Sequence, residues 1–212
     1  MPASIFVLAG VNGAGKSSIG GAALAARGAG HFDPDVAARI ILAANPGLAI
    51  EHANGLAWDM GRRGLQRALR EHANFAFETT LGARTLTDLL LEGARDGARV
   101  HVWFAGLASP ELHLQRVRAR VLAGGHDIPA AKIRERYDSS RANLLRLLPH
   151  LASLRVYDNS TEADPKAGLR PEPRLLLVMQ GGRVVDHAPL VHIPDWSKPI
   201  LAAALASGSR SG

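Results

Sequence analysis

The sequence predicts a three-layer α/β/α fold built around a mainly parallel sheet. Two observations carry this prediction: short apolar runs alternate with helical segments along most of the chain, and a glycine-rich segment at residues 10–17 follows directly after the first apolar run, residues 5–9. Alternating strands and helices are typical of parallel sheets that have helices on both faces. Ligands of such sheets bind at the carboxyl ends of the strands, so the residues that follow each strand are candidate site residues.

The glycine-rich segment at residues 10–17, GVNGAGKS, fits the P-loop pattern G-x-x-x-x-G-K-[ST]. Its glycines let the backbone curl so that successive N–H groups face phosphates, and the alanine-rich residues 18–27 predict a helix whose N-terminus adds positive partial charge. Lys16 is expected to reach the β- and γ-phosphates, and the Ser17 hydroxyl to bind Mg²⁺. The alternative, a glycine-rich turn without a ligand, has no need of Lys and Ser after the last glycine. The predicted ATP-binding residues are Gly10, Asn12, Gly13, Ala14, Gly15, Lys16, Ser17 and Ser18, with Ser17 as the metal ligand.

The segments that follow continue the alternation. Pro34 fixes its own backbone and favours an extended Asp33, so a helix is predicted from about residue 35 to residue 44. A longer helix is predicted at about residues 50–71. Its apolar residues at helical spacing, which indicate the buried face, are Leu56, Met60, Leu65 and Leu69.

The rest of the chain divides into further elements by the same criteria. In chain order they are a strand at 75–77, a helix at 84–96, a strand at 99–106, helices at 109–122 and 129–148, a strand at 153–157, a hairpin at 175–187 and a short helix at 196–206. We expect residues 1–160 to form a P-loop kinase-like core that includes an arginine-rich helical lid at about 109–150. Residues 161–212 are expected to pack on the same domain as a loop, a β-hairpin and a C-terminal helix.

Composition narrows the classes of function. The formal net charge is +6, and residues 116–146 hold eight basic against three acidic residues, so one segment carries +5 of that excess and favours an anionic partner. The absence of cysteine excludes disulfides, thiolate metal sites and cysteine nucleophiles, and the nine histidines show no ligand spacing that would predict a zinc site. No signal-peptide pattern or membrane-spanning run is present, so a cytoplasmic protein without membrane contact is expected.

Polar residues after the predicted strands are the candidates for chemistry. Asp35 could accept a proton from an acceptor hydroxyl or orient that hydroxyl, but a helix-capping role is an equal alternative, and Asp33 competes for the same task. Glu78, followed by Thr79 and Thr80, could bind acceptor hydroxyls at the mouth of a cleft or could be an ordinary strand-end carboxylate. The arginines of the predicted lid could stabilise a transferring phosphoryl group, and we expect one or two to contact phosphate. They are Arg116, Arg118, Arg120, Arg134 and Arg136.

A family resemblance rests on motifs spread from about residue 5 to residue 160. The most distinctive is the segment RVLAGGHDIP at residues 120–129 followed by IRERY at 133–137. With the P-loop, the DPD of residues 33–35, the FETT of 77–80 and the YDNS of 157–160, this resembles the zeta toxin-like family of P-loop kinases, in its compact Gram-negative-type branch. The Asp195-Trp196 pair near the end is also similar to that family.

The resemblance implies an ATP- and Mg²⁺-dependent kinase whose best-known relatives phosphorylate the sugar 3′-hydroxyl of UDP-N-acetylglucosamine. By the same resemblance, Asp35 is the catalytic acid and Glu78 the substrate-binding carboxylate. Arg120 and Arg136 match the phosphate-contacting arginines, and helical register leaves Arg116 or Arg134 as alternatives. Counterparts of the extra segments that shape the nucleotide-sugar pocket of the longer toxins are not found in this chain.

The sequence therefore predicts a small-molecule kinase that uses ATP and Mg²⁺, with a nucleotide sugar as the expected acceptor and an antitoxin protein as a conceivable partner. A polynucleotide or nucleoside kinase is one alternative, weakened for nucleic acid because few aromatic residues are available to stack bases. An ATP-binding toxin–antitoxin interaction module is the other.

Overall fold

The computed structural model describes residues 2–16, 19–20, 31–125, 127–161 and 172–208. Its strands form one six-stranded sheet in the order β2-β1-β3-β4-β5-β6. The strands are β1 (Ser4–Ala9), β2 (Phe75–Thr79), β3 (Arg99–Gly106), β4 (Ser153–Asp158), β5 (Arg174–Gln180) and β6 (Arg183–His187). The first four are parallel, and β5 and β6 join antiparallel. The predicted mainly parallel α/β fold is thus confirmed.

Six helices are described in full. They are α1 (Pro34–Ala44), α2 (Ile50–Arg70), α3 (Arg84–Arg95), α4 (Pro110–Leu122), α5 (Ala130–Leu147) and α6 (Lys198–Gly208). Of the helix predicted at residues 18–27, only residues 19 and 20 belong to the described part of the chain. Among the described residues, no helix has both the length and the apolar character needed to cross a bilayer.

The two faces of β1 enter different apolar clusters because successive strand side chains point to opposite sides. Ile5, Val7 and Ala9 belong to the large core, which also contains buried residues of α2, α3, α5 and α6. Leu8 faces the other way and packs with Ile19, the described buried residue of the helix that follows the P-loop. Strand β1 is thereby covered on both faces, as expected in a parallel sheet.

The buried face of α2 differs from the one that its large apolar residues indicated. Leu65 is buried and Leu69 is partly buried, but Leu56 and Met60 are about half exposed, at 50% and 52%. The buried stripe consists of Ala53, Ala57, Gly61, Leu65 and Ala68. Small residues are required because aromatic rings press on this helix: a Cβ at Gly61 would lie 2.8 Å from the Phe32 ring.

The last part of the described chain packs against the carboxyl end of β3. Trp196 is buried, and its indole Nε1 donates a hydrogen bond to Asp158 Oδ1 at 3.2 Å. Its ring lies directly on Gly106, where a Cβ would come within 2.3 Å of the ring atoms. The segment after the hairpin therefore supports the sheet edge from which the site is built.

We expect Gly106→Ala to lower the free energy of unfolding by about 1–3 kcal/mol, because the new methyl group would overlap a buried ring that is held by Asp158. Gly55→Ala is the matched control, since Gly55 lies in α2 with open space around it. That substitution should instead raise the free energy of unfolding by about 0.5–1 kcal/mol through helix propensity. Urea unfolding measures both changes, and equal stabilities for the two variants would contradict the packing.

Candidate functional site

The P-loop curls between β1 and the helix that follows it, with glycines at its bends. Gly10, Gly13 and Gly15 all have positive φ, a conformation that L side chains rarely adopt. Gly10 also approaches the neighbouring strand so closely that a Cβ would lie 2.3 Å from the carbonyl oxygen of Ala105. Parallel pairing of β1 with β3 fixes this approach. Ala14 is fully buried beneath the loop.

Side chains from later elements hold the P-loop backbone. His113 Nδ1 donates to the carbonyl oxygen of Asn12 at 2.8 Å, and Asn159 Nδ2 donates to that of Ala14 at 2.9 Å. Arg136 Nη1 donates to the side-chain Oδ1 of Asn12 at 2.8 Å. The carbonyls of Asn12 and Ala14 are thus satisfied by protein groups. The N–H groups of Gly10 and Ala14 donate to the carbonyls of Thr79 and Val11, and the other loop N–H groups are the ones expected to face an anion.

Lys16, the lysine of the P-loop, is nearly buried, and its ammonium group has two partners. It donates to the carbonyl oxygen of Gly10 at 2.9 Å and lies 3.3 Å from Glu78 Oε1 at the end of β2. β1 and β2 are paired in parallel, so the residues at their carboxyl ends come together. The predicted ligands Ser17 and Ser18 lie outside the described residues.

The hydrogen bonds at the start of α1 distinguish the roles of Asp33 and Asp35. Asp33 is the N-cap of α1, where its Oδ1 accepts from the N–H groups of Asp35 at 2.8 Å and Val36 at 3.4 Å. Asp35 sits in the first turn with its side chain turned to Arg120, whose Nη1 lies 3.7 Å from Asp35 Oδ2. The Asp35 carboxylate is therefore not used for capping.

A strained turn follows β2 at the rim of the site. The Thr79 hydroxyl accepts from the N–H of Leu81 at 3.0 Å, and the Thr80 hydroxyl accepts from Gly82 at 3.4 Å. Leu81 is buried with φ of 55°, a conformation that costs a residue with a side chain about 1–3 kcal/mol. Asn143 of α5 holds the turn by donating to the Leu81 carbonyl at 2.9 Å.

The lid arginines divide by direction. Arg120 faces Asp35, and its Nε and Nη2 are buried without a hydrogen-bond partner among the described residues. Arg136 passes over Gly82, where a Cβ would come within 2.8 Å of its side chain, and reaches the P-loop. Burial lowers the pKa of Arg136, while Glu135 and Asp35 act in the opposite sense.

The two arginines that helical register left as alternatives have other partners. Arg134 lies 3.7 Å from Glu111 of α4, and Arg116 Nη2 donates to the carbonyl oxygen of Thr161 at 3.4 Å. Arg116 nevertheless lies beside the P-loop, because a Cβ at Gly13 would be 3.4 Å from its Cβ. Arg136 contacts the P-loop through Asn12, and Arg120 faces Asp35. Unpartnered guanidinium N–H groups of Arg120 fit an anionic ligand such as a triphosphate.

A cavity of about 390 Å³ opens beside the P-loop on the β2 side. Its polar wall near the loop is formed by Lys16, Asp35, Glu78, Thr79, Thr80 and Arg136. The far wall comes from α2 and includes Asn54 and Trp58, which sequence patterns did not single out. Asn54 and Trp58 are four residues apart and so share a face of α2, but the large apolar residues of this helix indicate a different face.

One cluster of metal-ligand type lies at the same rim. His31, Asp33 and Glu78 offer ligand atoms that are all within 4.8 Å of one another. The sequence did not predict it, because parallel strand ends bring together residues that are more than 40 positions apart in the chain. Asp33 Oδ1 is occupied by the helix cap and Glu78 Oε1 by Lys16, so the groups have structural partners.

His113 gives a prediction about pH. Burial lowers the pKa of His113 to about 4, whereas the unfolded chain keeps an ordinary value near 6.5. Between these values the unfolded state binds a proton that the folded state does not. The contribution of neutral His113 to the free energy of unfolding is therefore complete above pH 6.5 and is lost as the pH falls toward 4.

We therefore expect the free energy of unfolding to fall by roughly 3 kcal/mol from pH 6.5 to pH 4 in excess of the change for His113→Asn. Urea titrations of both proteins across that range measure the difference. Asn keeps a side-chain donor for the Asn12 carbonyl, which makes it the matched variant. Parallel pH profiles for the two proteins would show that His113 is not held neutral.

Known proteins share this arrangement. The family model described as zeta toxin matches residues 1–164. An uncharacterised protein of Haemophilus influenzae is 30% identical over 133 residues, which cover 60% of this chain and 88% of that protein. The family match spans the P-loop, the strand-end carboxylates, the lid and the segment after β4.

Solved structures share the fold. A chain of the AvrRxo1-ORF1:-ORF2 complex with ATP superposes with a TM-score of 0.62 at 18% identity, covering 96% of this chain and 64% of that chain. A chain of the PezAT chromosomal toxin–antitoxin system of Streptococcus pneumoniae gives 0.52 at 18% identity, covering 81% and 75%. This chain thus spans less than two thirds of the AvrRxo1 chain's length. Because the family model covers more than three quarters of the sequence, the resemblance seen in its motifs is confirmed, and this protein belongs to the zeta toxin family, with a P-loop kinase fold.

Proposed function

We propose that this protein is an ATP- and Mg²⁺-dependent kinase that phosphorylates a hydroxyl group of a small molecule. The observation that carries the proposal is that the Asp35 carboxylate, released from capping by Asp33, lines the same cavity as the P-loop lysine. We further propose that the acceptor is a UDP-activated amino sugar such as UDP-N-acetylglucosamine, with a sugar hydroxyl as the reacting group.

The proposed reaction assigns a task to each side chain. Asp35 takes the proton of the acceptor hydroxyl while the oxygen of that hydroxyl forms a bond to the γ-phosphorus. The bond between the γ-phosphorus and the oxygen that bridges it to the β-phosphate breaks, and ADP leaves. Lys16 and Arg120 face the charge on the transferring group, and Glu78, with Thr79 and Thr80, binds acceptor hydroxyls. Ser17 is the residue that would hold Mg²⁺, which when bound with ATP would neutralise charge on the β- and γ-phosphates.

The ion pair between Lys16 and Glu78 suggests that ATP binds before the acceptor. They are paired at 3.3 Å, and triphosphate oxygens at the P-loop would compete with Glu78 for the same ammonium group. A Glu78 carboxylate that loses this partner becomes a hydrogen-bond acceptor for a sugar hydroxyl. ATP at the P-loop therefore prepares the acceptor site.

The comparisons support ATP binding and a kinase-like or toxin–antitoxin role at the level of family and fold. One structural relative is a chain of the AvrRxo1-ORF1:-ORF2 complex and the other a chain of a toxin–antitoxin system, which supports an antitoxin-like protein partner as a second proposal. Nucleic acid as acceptor has limited support from the tryptophans, because Trp103 and Trp196 are buried and Trp58 is the one tryptophan exposed enough to stack on a base.

Loss of Lys16 or Asp35 should abolish most turnover without unfolding the chain. We expect Lys16→Ala and Asp35→Asn each to lower kcat by on the order of 100-fold or more, measured as ADP release with a UDP-sugar and Mg²⁺. Asp33→Asn is the matched control, because Asn is also a good N-cap. Near-normal turnover in Asp35→Asn, or an equal loss in Asp33→Asn, would remove Asp35 from the mechanism.

The two sides of α4 allow a second test. Arg120→Ala should lower kcat by on the order of 100-fold, because a guanidinium facing the transferring phosphoryl group is lost. Arg118 is exposed, lies two positions earlier on α4 and, unlike Arg120, has no ion pair with a described residue, so Arg118→Ala should change kcat by less than about twofold. Equal effects of the two substitutions would indicate a general effect of charge rather than a contact.

The acceptor itself is identified by mass spectrometry of products formed from ATP, Mg²⁺ and a panel of nucleotide sugars, nucleosides and oligonucleotides. The Lys16→Ala variant is the control for contaminating kinases. A phosphorylated UDP-sugar supports the proposal in full. Phosphorylation of oligonucleotides alone would replace it with the nucleic-acid alternative.

A further inference from the structure

The wall of the cavity that faces the P-loop is formed by one stripe of α2. Glu51, Asn54 and Trp58 recur at spacings of three and four residues and therefore share a face of the helix. Glu51, Asn54 and Trp58 are not among the small buried residues of α2, of which Gly61 alone also lines the cavity. The α2 stripe thus serves the cavity rather than the stability of the sheet.

Trp58 differs from the other two tryptophans of the chain. Its side chain remains 38% exposed, whereas Trp103 and Trp196 are 2% and 5% exposed. The aromatic rings of Phe32 and Phe77 line the same cavity, so the indole borders an apolar surface inside a concave site. An indole in this position offers a flat face for a ring, because aromatic and sugar rings bury apolar area against it.

The position of Trp58 fits the acceptor rather than ATP. The cavity extends from Lys16 past Glu78 and Asp35 toward α2, on the β2 side of the P-loop. The short turns directly after β3 and β4, residues 107–109 and 159–161, contribute no residue to this cavity; Asn159 contacts the loop at Ala14 instead. The rest of the cavity border comes from the lid, at residues 127–129, Lys132 and Arg136. A molecule that places a hydroxyl next to Asp35 in this cavity therefore lies between α2, which carries Trp58, and the lid.

Polar groups beside the indole add specificity. Asn54 lies one helical turn before Trp58, and its side-chain amide has both donors and an acceptor available, with no hydrogen bond to another described residue. A ring stacked on Trp58 would present its edge to this amide. Such pairing of a stacking surface with one edge contact is typical of base and sugar recognition.

We propose that Trp58 is the specificity-determining residue for the acceptor: its indole stacks on a ring of that molecule, either a nucleobase or the apolar face of a sugar. The proposal rests on the kinase function proposed above and deepens it by naming the group that the enzyme recognises. Trp58 does not touch the reacting atoms, so its loss should affect binding of the acceptor and leave the chemical step in place.

Kinetics test this separation. We expect Trp58→Ala to raise KM for the acceptor by on the order of tenfold or more, with kcat within about threefold of wild type and KM for ATP unchanged. Trp58→Phe, which keeps a ring, should restore most of the affinity. Leu56→Ala is the matched control, because Leu56 is half exposed on the same helix and does not line the cavity. An unchanged acceptor KM in Trp58→Ala would overturn the proposal.

Intrinsic fluorescence provides a readout that does not depend on turnover. Because Trp103 and Trp196 are buried, quenching by an added ring compound reports on Trp58 and should disappear in Trp58→Phe. The probes are uridine, UDP, N-acetylglucosamine and UDP-N-acetylglucosamine. Quenching by uridine and UDP identifies the base as the stacked ring, and quenching by N-acetylglucosamine alone identifies the sugar.

The two readouts separate failure of this inference from failure of the proposed function. If wild type phosphorylates none of the acceptors but is quenched by a ring compound through Trp58, the function is wrong and the stacking surface stands. If wild type phosphorylates a UDP-sugar and neither quenching nor KM depends on Trp58, the function stands and the inference is wrong. Quenching that persists in Trp58→Phe would likewise place the ring elsewhere.

Discussion

The site depends on the way the P-loop carbonyl groups are satisfied. A phosphate-binding loop needs its N–H groups turned toward the ligand, which requires that its carbonyl groups find partners on the other side. His113, Asn159 and Lys16 meet that need at the carbonyls of Asn12, Ala14 and Gly10. A neutral His113 suits this task, because a buried imidazolium beside the loop would be costly and would place a second charge near Lys16. The loop is therefore prepared for an anion before one binds.

The same contacts join the lid to the loop. Arg136 reaches Asn12 from α5, and the absence of a side chain at Gly82 gives it room to pass. Arg120 reaches Asp35 from α4, so each lid helix extends one arginine toward this end of the sheet. Because Asp35 also interacts with Arg136 electrostatically, the three charges form one set at the mouth of the cavity. A change in any of them is felt by the acceptor side and the phosphate side together.

The sequence predicted the features that depend on residues close together in the chain. The P-loop pattern, the alternation of strands and helices, and the mainly parallel sheet all follow from residues that are near one another in the chain. The buried face of α2 was mispredicted because periodicity counts large apolar residues, whereas the rings of Phe32 and Phe75 select glycine at Gly61 and Gly64. The sequence could not distinguish the roles of Asp33 and Asp35, because only the hydrogen bonds of the helix cap show which carboxylate is the N-cap. The supports of the loop were hidden because His113 and Asn159 lie 101 and 145 residues from the groups that they bind.

The C-terminal segment belongs to this support although the family match ends at residue 164. Trp196 packs on Gly106 and donates to Asp158, while the N–H of Asn159 donates to the Gly106 carbonyl at 3.0 Å. Asp158 also accepts from the hydroxyl of Ser160, so the turn after β4 has fixed partners on both sides. Asn159 can hold the P-loop at Ala14 only while this turn keeps its shape. The residues beyond the family match therefore support the P-loop backbone through Asn159, without forming any described part of the cavity.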